Sequence, residues 1–358
     1  MVTDFKAKRA VAIWIGIGVL MLFIQVLLGG ITRLTGSGLS ITEWQVITGT
    51  IPPLDHSAWL TAFEKYKATP QYRLLNTHFS LADFKYIFFW EWIHRFWARL
   101  IGIVFIFGFV YMAGKKYLKK DMQRPLIILF LFGALQGLIG WVMVKSGLSG
   151  DEIYVKPIRL SAHFIFALGL IAYAHWFFLQ LIIPENKRNH FRSAVFVCKI
   201  LLMLLFIQFI FGALMAGHKA ATAAPTWPDI NGEIIPSTIW KHELGARNFV
   251  ENKTTIHFVH RTFGYLLFLA TLLFTGYLQP ILKENRFLKK IGVLPLICTI
   301  FQLGLGVLAI LFSLQIVPNQ WGIFETIALL HQITAMLLLL SIVTVLYIIN
   351  GKSSSIPS

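Results

Sequence analysis

The sequence predicts an all-α integral membrane protein whose eight transmembrane helices form two tandem, pseudo-symmetric four-helix bundles. Three observations lead there. The 358 residues are 56% hydrophobic and only 13% charged, with mean hydropathy +0.69, whereas a soluble domain carries about 25% charged residues. Eight apolar runs approach or exceed the roughly 18 residues a helix needs to cross a bilayer, and none alternates as the strands of a membrane barrel do. The last four runs repeat the polar landmarks of the first four.

Residues 1–9 are short and basic, with Lys6, Lys8 and Arg9. The first apolar run extends from Val11 to Gly30, longer than the core of a secretory signal and without a small-residue cleavage site, so it reads as a retained span. Later spans are expected near 86–113, 125–145, 158–183, 194–217, 255–279, 291–313 and 323–349. Basic residues set their direction. Lys115, Lys116, Lys119, Lys120 and Arg124 follow the second span; Lys187, Arg188 and Arg192 follow the fourth; Lys283, Arg286, Lys289 and Lys290 follow the sixth. With the N-terminal cluster they fall on one side, which is therefore cytoplasmic and holds both termini. This distribution accounts for the net charge of +16 without a nucleic-acid partner. The long connections, about 34–85 and 218–253, face outward and read as ordered caps. Cys198 and Cys298 lie far apart in or beside apolar runs and offer no disulfide, zinc or haem-attachment pattern, so both read as buried free thiols.

The repeat is explicit. Gln25 to Gly29 aligns with Gln208 to Gly212 at an offset of 183, kept by Trp44 and Trp227 and by Pro53 and Pro236. After the outer loops His94 aligns with His260 and Gln136 with Gln302 at 166, and His163 with His331 at 168. The halves are then residues 1–190 and 191–358. An even number of spans in each makes the repeats parallel, about an axis along the membrane normal. Odd spans carry Gln-x-x-x-Gly: Gln25/Gly29, Gln136/Gly140, Gln208/Gly212 and Gln302/Gly306. Even spans carry His-x-x-x-small: His94/Ala98, His163/Ala167, His260/Gly264 and His331/Ala335. Helix packing accounts for one glutamine or one small residue. It does not account for histidine at the equivalent place four times.

Each even span runs inward, so the four imidazoles are expected at similar depth in the outer half, about five to ten residues into their spans. Paired imidazoles on facing helices can hold haem iron from both sides, and the small residue one turn on leaves room for the porphyrin face. No carboxylate or thiol cluster repeats with them, which disfavours a bare zinc or copper site. Haem propionates need cations, and Arg33, Arg95, Arg99 and Arg261 lie near the outer face; snorkelling to the interface is the other reading of each. The halves differ three residues before the first histidine, where Glu91 has His257 as its counterpart. A carboxylate there can act as acid or base, stabilise charge, or orient a ligand. One half would react while the other stores electrons. His257 reads as a relay or a polar contact, His175 as packing, and His56, His78, His190, His218 and His242 as surface loop residues.

Gly29-Gly30-Ile31-Thr32-Arg33-Leu34-Thr35-Gly36-Ser37-Gly38-Leu39-Ser40, the helix start at Glu91 to Arg95 and the four spaced histidines resemble haem A synthase, an eight-span enzyme that supports cytochrome oxidase assembly. The likeness covers essentially the whole chain. Glu43-Trp44 and Phe84-Lys85-Tyr86-Ile87 look most like the mitochondrial and alphaproteobacterial branch. The resemblance implies oxidation of the C8 methyl of haem O to a formyl by successive hydroxylations, giving haem A. It implies that His94 and His163 hold the substrate haem beside a catalytic Glu91, and that His260 and His331 hold a permanent haem b. It further implies a haem O synthase as supplier. The outer-loop cysteine pair of some bacterial members is missing, so electrons are expected from another donor, such as a small ferredoxin-like protein at the inner face. The expected setting is a bacterial plasma membrane, since no Arg/Ser-rich transit segment precedes the first span; a homo-oligomer is compatible. A b-type dihaem cytochrome for quinol-linked electron transfer and a transporter are the alternatives.

Overall fold

The computed structural model describes residues 2–351 other than 44–47, 149, 282–285 and 318–319. Trp44 and Lys283, used above for the repeat and the orientation, and the side chain of Arg286, lie outside the described residues. Among the described residues eight helices are long and apolar enough to cross a membrane: α1 (Val2–Leu34), α4 (Leu81–Gly114), α5 (Lys120–Lys145), α6 (Pro157–Ile182), α7 (Arg192–Gly217), α9 (Lys253–Ile281), α10 (Arg286–Leu311) and α11 (Ile323–Ile349). Among the described residues there is no β-strand. The chain is a multi-pass membrane protein.

The spans agree with the sequence reading within a few residues, except where helices run beyond the bilayer-length run. One such case is α4. Ser80 caps it by accepting from the Asp83 N–H while Asp83 accepts from the Ser80 N–H at 2.8 Å, a reciprocal capping box. Its projecting start packs on two short outer helices, α2 (His56–Lys67) and α3 (Pro70–Leu75). Phe63, Tyr66, Phe84 and Phe88 form a separate buried cluster there, with Phe63 stacked on Phe84 at 5.0 Å. The described part of this outer loop is thus an ordered cap, and the overhang sets His94 more than three turns from the start of its helix.

In the first half α1 packs on α4 and α6, and α5 on α6. Two indoles fasten α4 to α1: Trp97 donates to the Met21 carbonyl at 2.9 Å and Trp14 to that of Val104 at 3.2 Å. In the second half α7 packs on α9 and α11, and α10 on both α9 and α11. The halves meet where α6 touches α7 and α11 and where α1 touches α11. Ile171, Leu201, Leu205, Met336, Leu338 and Ile342 are buried along these seams. At the inner end, Asn189 donates to the Ile348 carbonyl at 2.9 Å, which ties the connection between halves to the end of α11.

Candidate functional site

Each candidate histidine lies in a seat provided by the preceding span. A methyl group built on Gly29 would come 3.1 Å from Cε1 of His94; on Gly140, 2.9 Å from that of His163; on Gly212, 3.1 Å from that of His260; on Gly306, 3.0 Å from that of His331. These are sub-contact distances, so only glycine lets the ring lie so close to the neighbouring backbone. The glutamine one turn earlier touches the same ring. Gln25 Nε2 lies 3.2 and 3.3 Å from the two ring nitrogens of His94, and Gln136 Nε2 lies 3.2 and 3.4 Å from those of His163. Gln208 Nε2 is 3.4 Å from His260 Nε2, and Gln302 Nε2 is 3.0 Å from His331 Nε2. The small residue after each histidine, expected to make room for a porphyrin face, has no uniform job. Gly264 faces Gln208, Ala335 is buried in the core between halves, and Ala98 borders a cavity.

In the second half two candidate histidines lie at a spacing that would suit an iron between them. The ring centroids of His260 and His331 are 6.4 Å apart with planes at 71°. A metal between two imidazoles, each at a bond of ~2 Å with the ring centre ~1 Å behind the nitrogen, calls for a separation of about 6 Å. His331 Nδ1 donates to the main-chain oxygen of Gln302 at 3.0 Å, which fixes its proton on that side, so Nε2, now in contact with the Gln302 amide at 3.0 Å, is the nitrogen that could take a metal in its place. The side-chain oxygens of Gln25, Gln136, Gln208 and Gln302, and Nδ1 of His260, are buried without a partner. Each such atom costs roughly 1–3 kcal/mol, and such a set marks a polar site inside an apolar bundle.

The first half is built more openly. His94 and His163 lie within electrostatic reach of each other. Whereas the backbones of α9 and α10 pack closely, their counterparts α4 and α5 stand farther apart and meet through side chains such as Phe105 and Phe130, stacked at 6.4 Å. An apolar cavity of about 290 Å³ opens there among α1, α4, α5 and α6, lined by Met21, Ala98, Ile101, Gly102, Phe130 and Gly133 among others. Ala98 lies one turn inward of His94, so the cavity adjoins the histidine.

Glu91 is 2% exposed. Its Oε2 accepts from the Ser40 hydroxyl at 2.7 Å and from the Ile41 N–H at 2.9 Å, and its Oε1 pairs with Arg95. Arg95 also donates to the carbonyls of Ile41 at 3.2 Å and Glu43 at 3.3 Å. The equivalent pair in the second half does the same work. His257, fully buried, donates to the Ala220 carbonyl at 2.7 Å, and Arg261 donates to those of Ala224, Asp229 and Thr226 at 2.7, 2.8 and 2.9 Å. Both pairs therefore clamp an outer loop over their half, and Arg95 and Arg261, two of the four arginines expected at propionates, hold loop backbone. Arg33, half-buried at the end of α1, lies within electrostatic reach of Glu325 on α11; Arg99 is half-buried one turn below Arg95.

Residues 12–343 match the family model described as cytochrome oxidase assembly protein. The chain belongs to this family. It is 40% identical to the heme A synthase of Flavobacterium johnsoniae, over 93% of this chain and 96% of that protein. It is 37% identical to the heme A synthase of Paracoccus denitrificans, over 93% of this chain and 86% of that protein. A heme A synthase of Rhodopseudomonas palustris is 43% identical over 73% of this chain and 72% of its own length.

Within this family member, sequence reasoning found the histidines but not what holds them. The Gln-x-x-x-Gly repeat was the available signal, and it read as packing. Other histidines separate clearly. His218, expected at the surface, is half-buried and bonds the Val250 carbonyl at 2.7 Å. His175 is 2.8 Å from Thr344 Oγ1, a polar link from α6 to α11. His56, His78, His190 and His242 are exposed. Cys198 is buried and Cys298 half-buried; both are free.

Proposed function

We propose that the chain is a haem A synthase, an oxidoreductase that converts the C8 methyl of haem O to a formyl through successive hydroxylations. Family membership and relatives of that name along nearly the full length carry the assignment. In this reading residues 191–358 hold haem b between His260 and His331, and residues 1–190 receive haem O between His94 and His163. The unequal build of the halves supports that division. A closed bundle with its rings already at axial spacing suits a resident cofactor. A bundle with an open seam and an apolar cavity suits a substrate that must enter from the bilayer and leave again.

Bound haem supplies the one-electron and oxygen chemistry that attack on a methyl group needs. The chain supplies placement. The Gln-x-x-x-Gly seats fix the rings that approach the iron, and the cavity keeps water from the apolar bulk of the substrate. Glu91, held by Ser40, Ile41 and Arg95, keeps a carboxylate at a fixed place one turn outward of His94, where it stabilises positive charge that develops in the reaction. The second half has no carboxylate at the equivalent place, where His257 holds a loop carbonyl through its Nε2. In this reading both termini lie on the cytoplasmic side of a bacterial plasma membrane, which the basic connecting loops support, and those loops offer a surface to a small iron–sulfur electron donor. A haem O synthase in the same membrane supplies the substrate.

The test is haem extraction and chromatography on protein purified from cells that make haem O. Haem b together with haem O, haem A or a hydroxylated intermediate is expected. Two haem b per chain and nothing else would favour the dihaem cytochrome instead. Glu91→Ala should keep haem b and abolish haem A formation; full activity in that variant would remove Glu91 from the mechanism.

A further inference from the structure

Resting on the haem A synthase reading above, we propose that the indole N–H of Trp90 holds a propionate carboxylate of the substrate haem, a neutral donor that the second half lacks. Of the three indoles on α4, those of Trp92 and Trp97 donate to the carbonyls of Thr50 and Met21, both at 2.9 Å. The Nε1 of Trp90 is buried and has no hydrogen-bond partner among the described residues. A buried N–H without an acceptor is costly, and native proteins keep few of them.

Its place on the helix points to the substrate. Trp90, His94 and Ala98 follow one another at intervals of four, so they share one face of α4, a turn apart. Ala98 borders the apolar cavity, His94 is the candidate ligand, and Trp90 lies one turn farther out. The indole makes edge contacts with Phe89 at 5.3 Å and Tyr86 at 6.5 Å, both exposed. The Trp90 carbonyl accepts from the Thr32 hydroxyl of α1 at 3.1 Å. The indole therefore stands on backbone fixed in the same seam that seats His94 on Gly29.

An indole N–H donates and cannot accept, so its partner is an acceptor. A haem whose ring nitrogens are bound to iron offers its two propionate carboxylates, which belong at the water-facing edge, and Trp90 is on the outward side of His94. The neighbouring cation is engaged elsewhere: Arg95 pairs with Glu91 and holds the carbonyls of Ile41 and Glu43. At the offset of 166 the counterpart of Trp90 is Ile256, fully buried and with no donor in its side chain. The contact is thus confined to the half read as receiving the substrate. A neutral donor also suits a ligand that must leave, because an uncharged N–H grips a carboxylate less firmly than a guanidinium does.

The experiment uses the full-length protein purified with haem b from cells that make no haem O. Ferric haem O, and haem O with both propionates esterified, are titrated into it without reductant, and binding is read from the visible spectrum. Trp90→Phe keeps an aromatic ring and removes the N–H. It should retain haem b and bind haem O about 10- to 100-fold more weakly, the size of one hydrogen bond to a charged group. The esterified haem should distinguish the two proteins much less than the free acid does. Equal affinity of both proteins for haem O would overturn the proposal. An equal loss for acid and ester would also overturn it, since the N–H would then meet another acceptor. If Trp90→Phe loses haem b, the benzothiophene analogue of tryptophan at position 90 decides instead, because it keeps the shape of the indole without the N–H. Weaker binding of haem O but not of its ester then supports the proposal, and any other result overturns it. Failure of the underlying reading looks different, because wild-type protein would then take up no haem O.

Discussion

Gly306→Ala is the sharpest test of the seat. The new methyl would lie 3.0 Å from Cε1 and 3.6 Å from Nδ1 of His331. Ordinary carbon–carbon contact is about 3.5–4.0 Å, so the ring must retreat by about 0.5–1 Å. It has little freedom to do so. On one side its Nδ1 is held by the Gln302 main chain at 3.0 Å, and across the site lies His260, 6.4 Å away between centroids. Overpacking of this kind costs about 1–3 kcal/mol, and each 1.4 kcal/mol is a factor of ten, so haem b retention should weaken about 5- to 150-fold. Gly304→Ala is the control, in the same helix two residues earlier, where an added methyl meets nothing within 4 Å. It removes only backbone freedom, worth about 0.5–1 kcal/mol in the helix's favour, and should keep its haem. The assay is haem per chain after transfer to an excess of a haem-scavenging apoprotein, followed over time. Equal retention by Gly306→Ala and wild type would refute the seat, as would equal loss from both alanine variants.

Other consequences are as direct. Gly133→Leu, at a position with open space beside it in the cavity of about 290 Å³, should block conversion of haem O while haem b stays bound; unchanged haem A in extracts would place the substrate elsewhere. Arg261→Leu strips the donor from three loop carbonyls at a cost of roughly 1–3 kcal/mol each, so the variant should melt well below wild type; an unchanged Tm would show the clamp to be dispensable. The Asp229 carboxyl is held below its ordinary value, first by the Thr226 hydroxyl and then by the Gly232 N–H. A lowered carboxylate stabilises the fold above its unfolded value of about 3.9 and loses that contribution as pH falls through the folded value. Protease cleavage of the 218–253 loop should thus rise below about pH 4, and Asp229→Ala should be equally open at neutral pH. A wild-type loop that stays resistant at pH 3 would contradict this.

Much of the protein was legible in one dimension. The bilayer's apolar thickness demands helices of a fixed minimum length, so hydropathy alone placed the eight spans. The tandem repeat exposed the four histidines, because equivalence at offsets of 183 and 166–168 needs only counting. The overhang of α4 escaped, since its first turns are held by aromatic contacts with α2 and α3 rather than by lipid.

What tertiary structure alone decided is which face meets which. Hydropathy fixes that a segment crosses the membrane but leaves its rotation and neighbours free, because lipid and protein are equally apolar surroundings for most side chains. Packing therefore revealed that the glycine making room for an imidazole belongs to the preceding helix. It also tied Glu91, Arg95, His257 and Arg261 to the outer loops. Packing, finally, separated α4 from α5 while it closed α9 on α10. Two halves whose spaced histidines look interchangeable along the sequence are, once folded, one closed bundle and one open one.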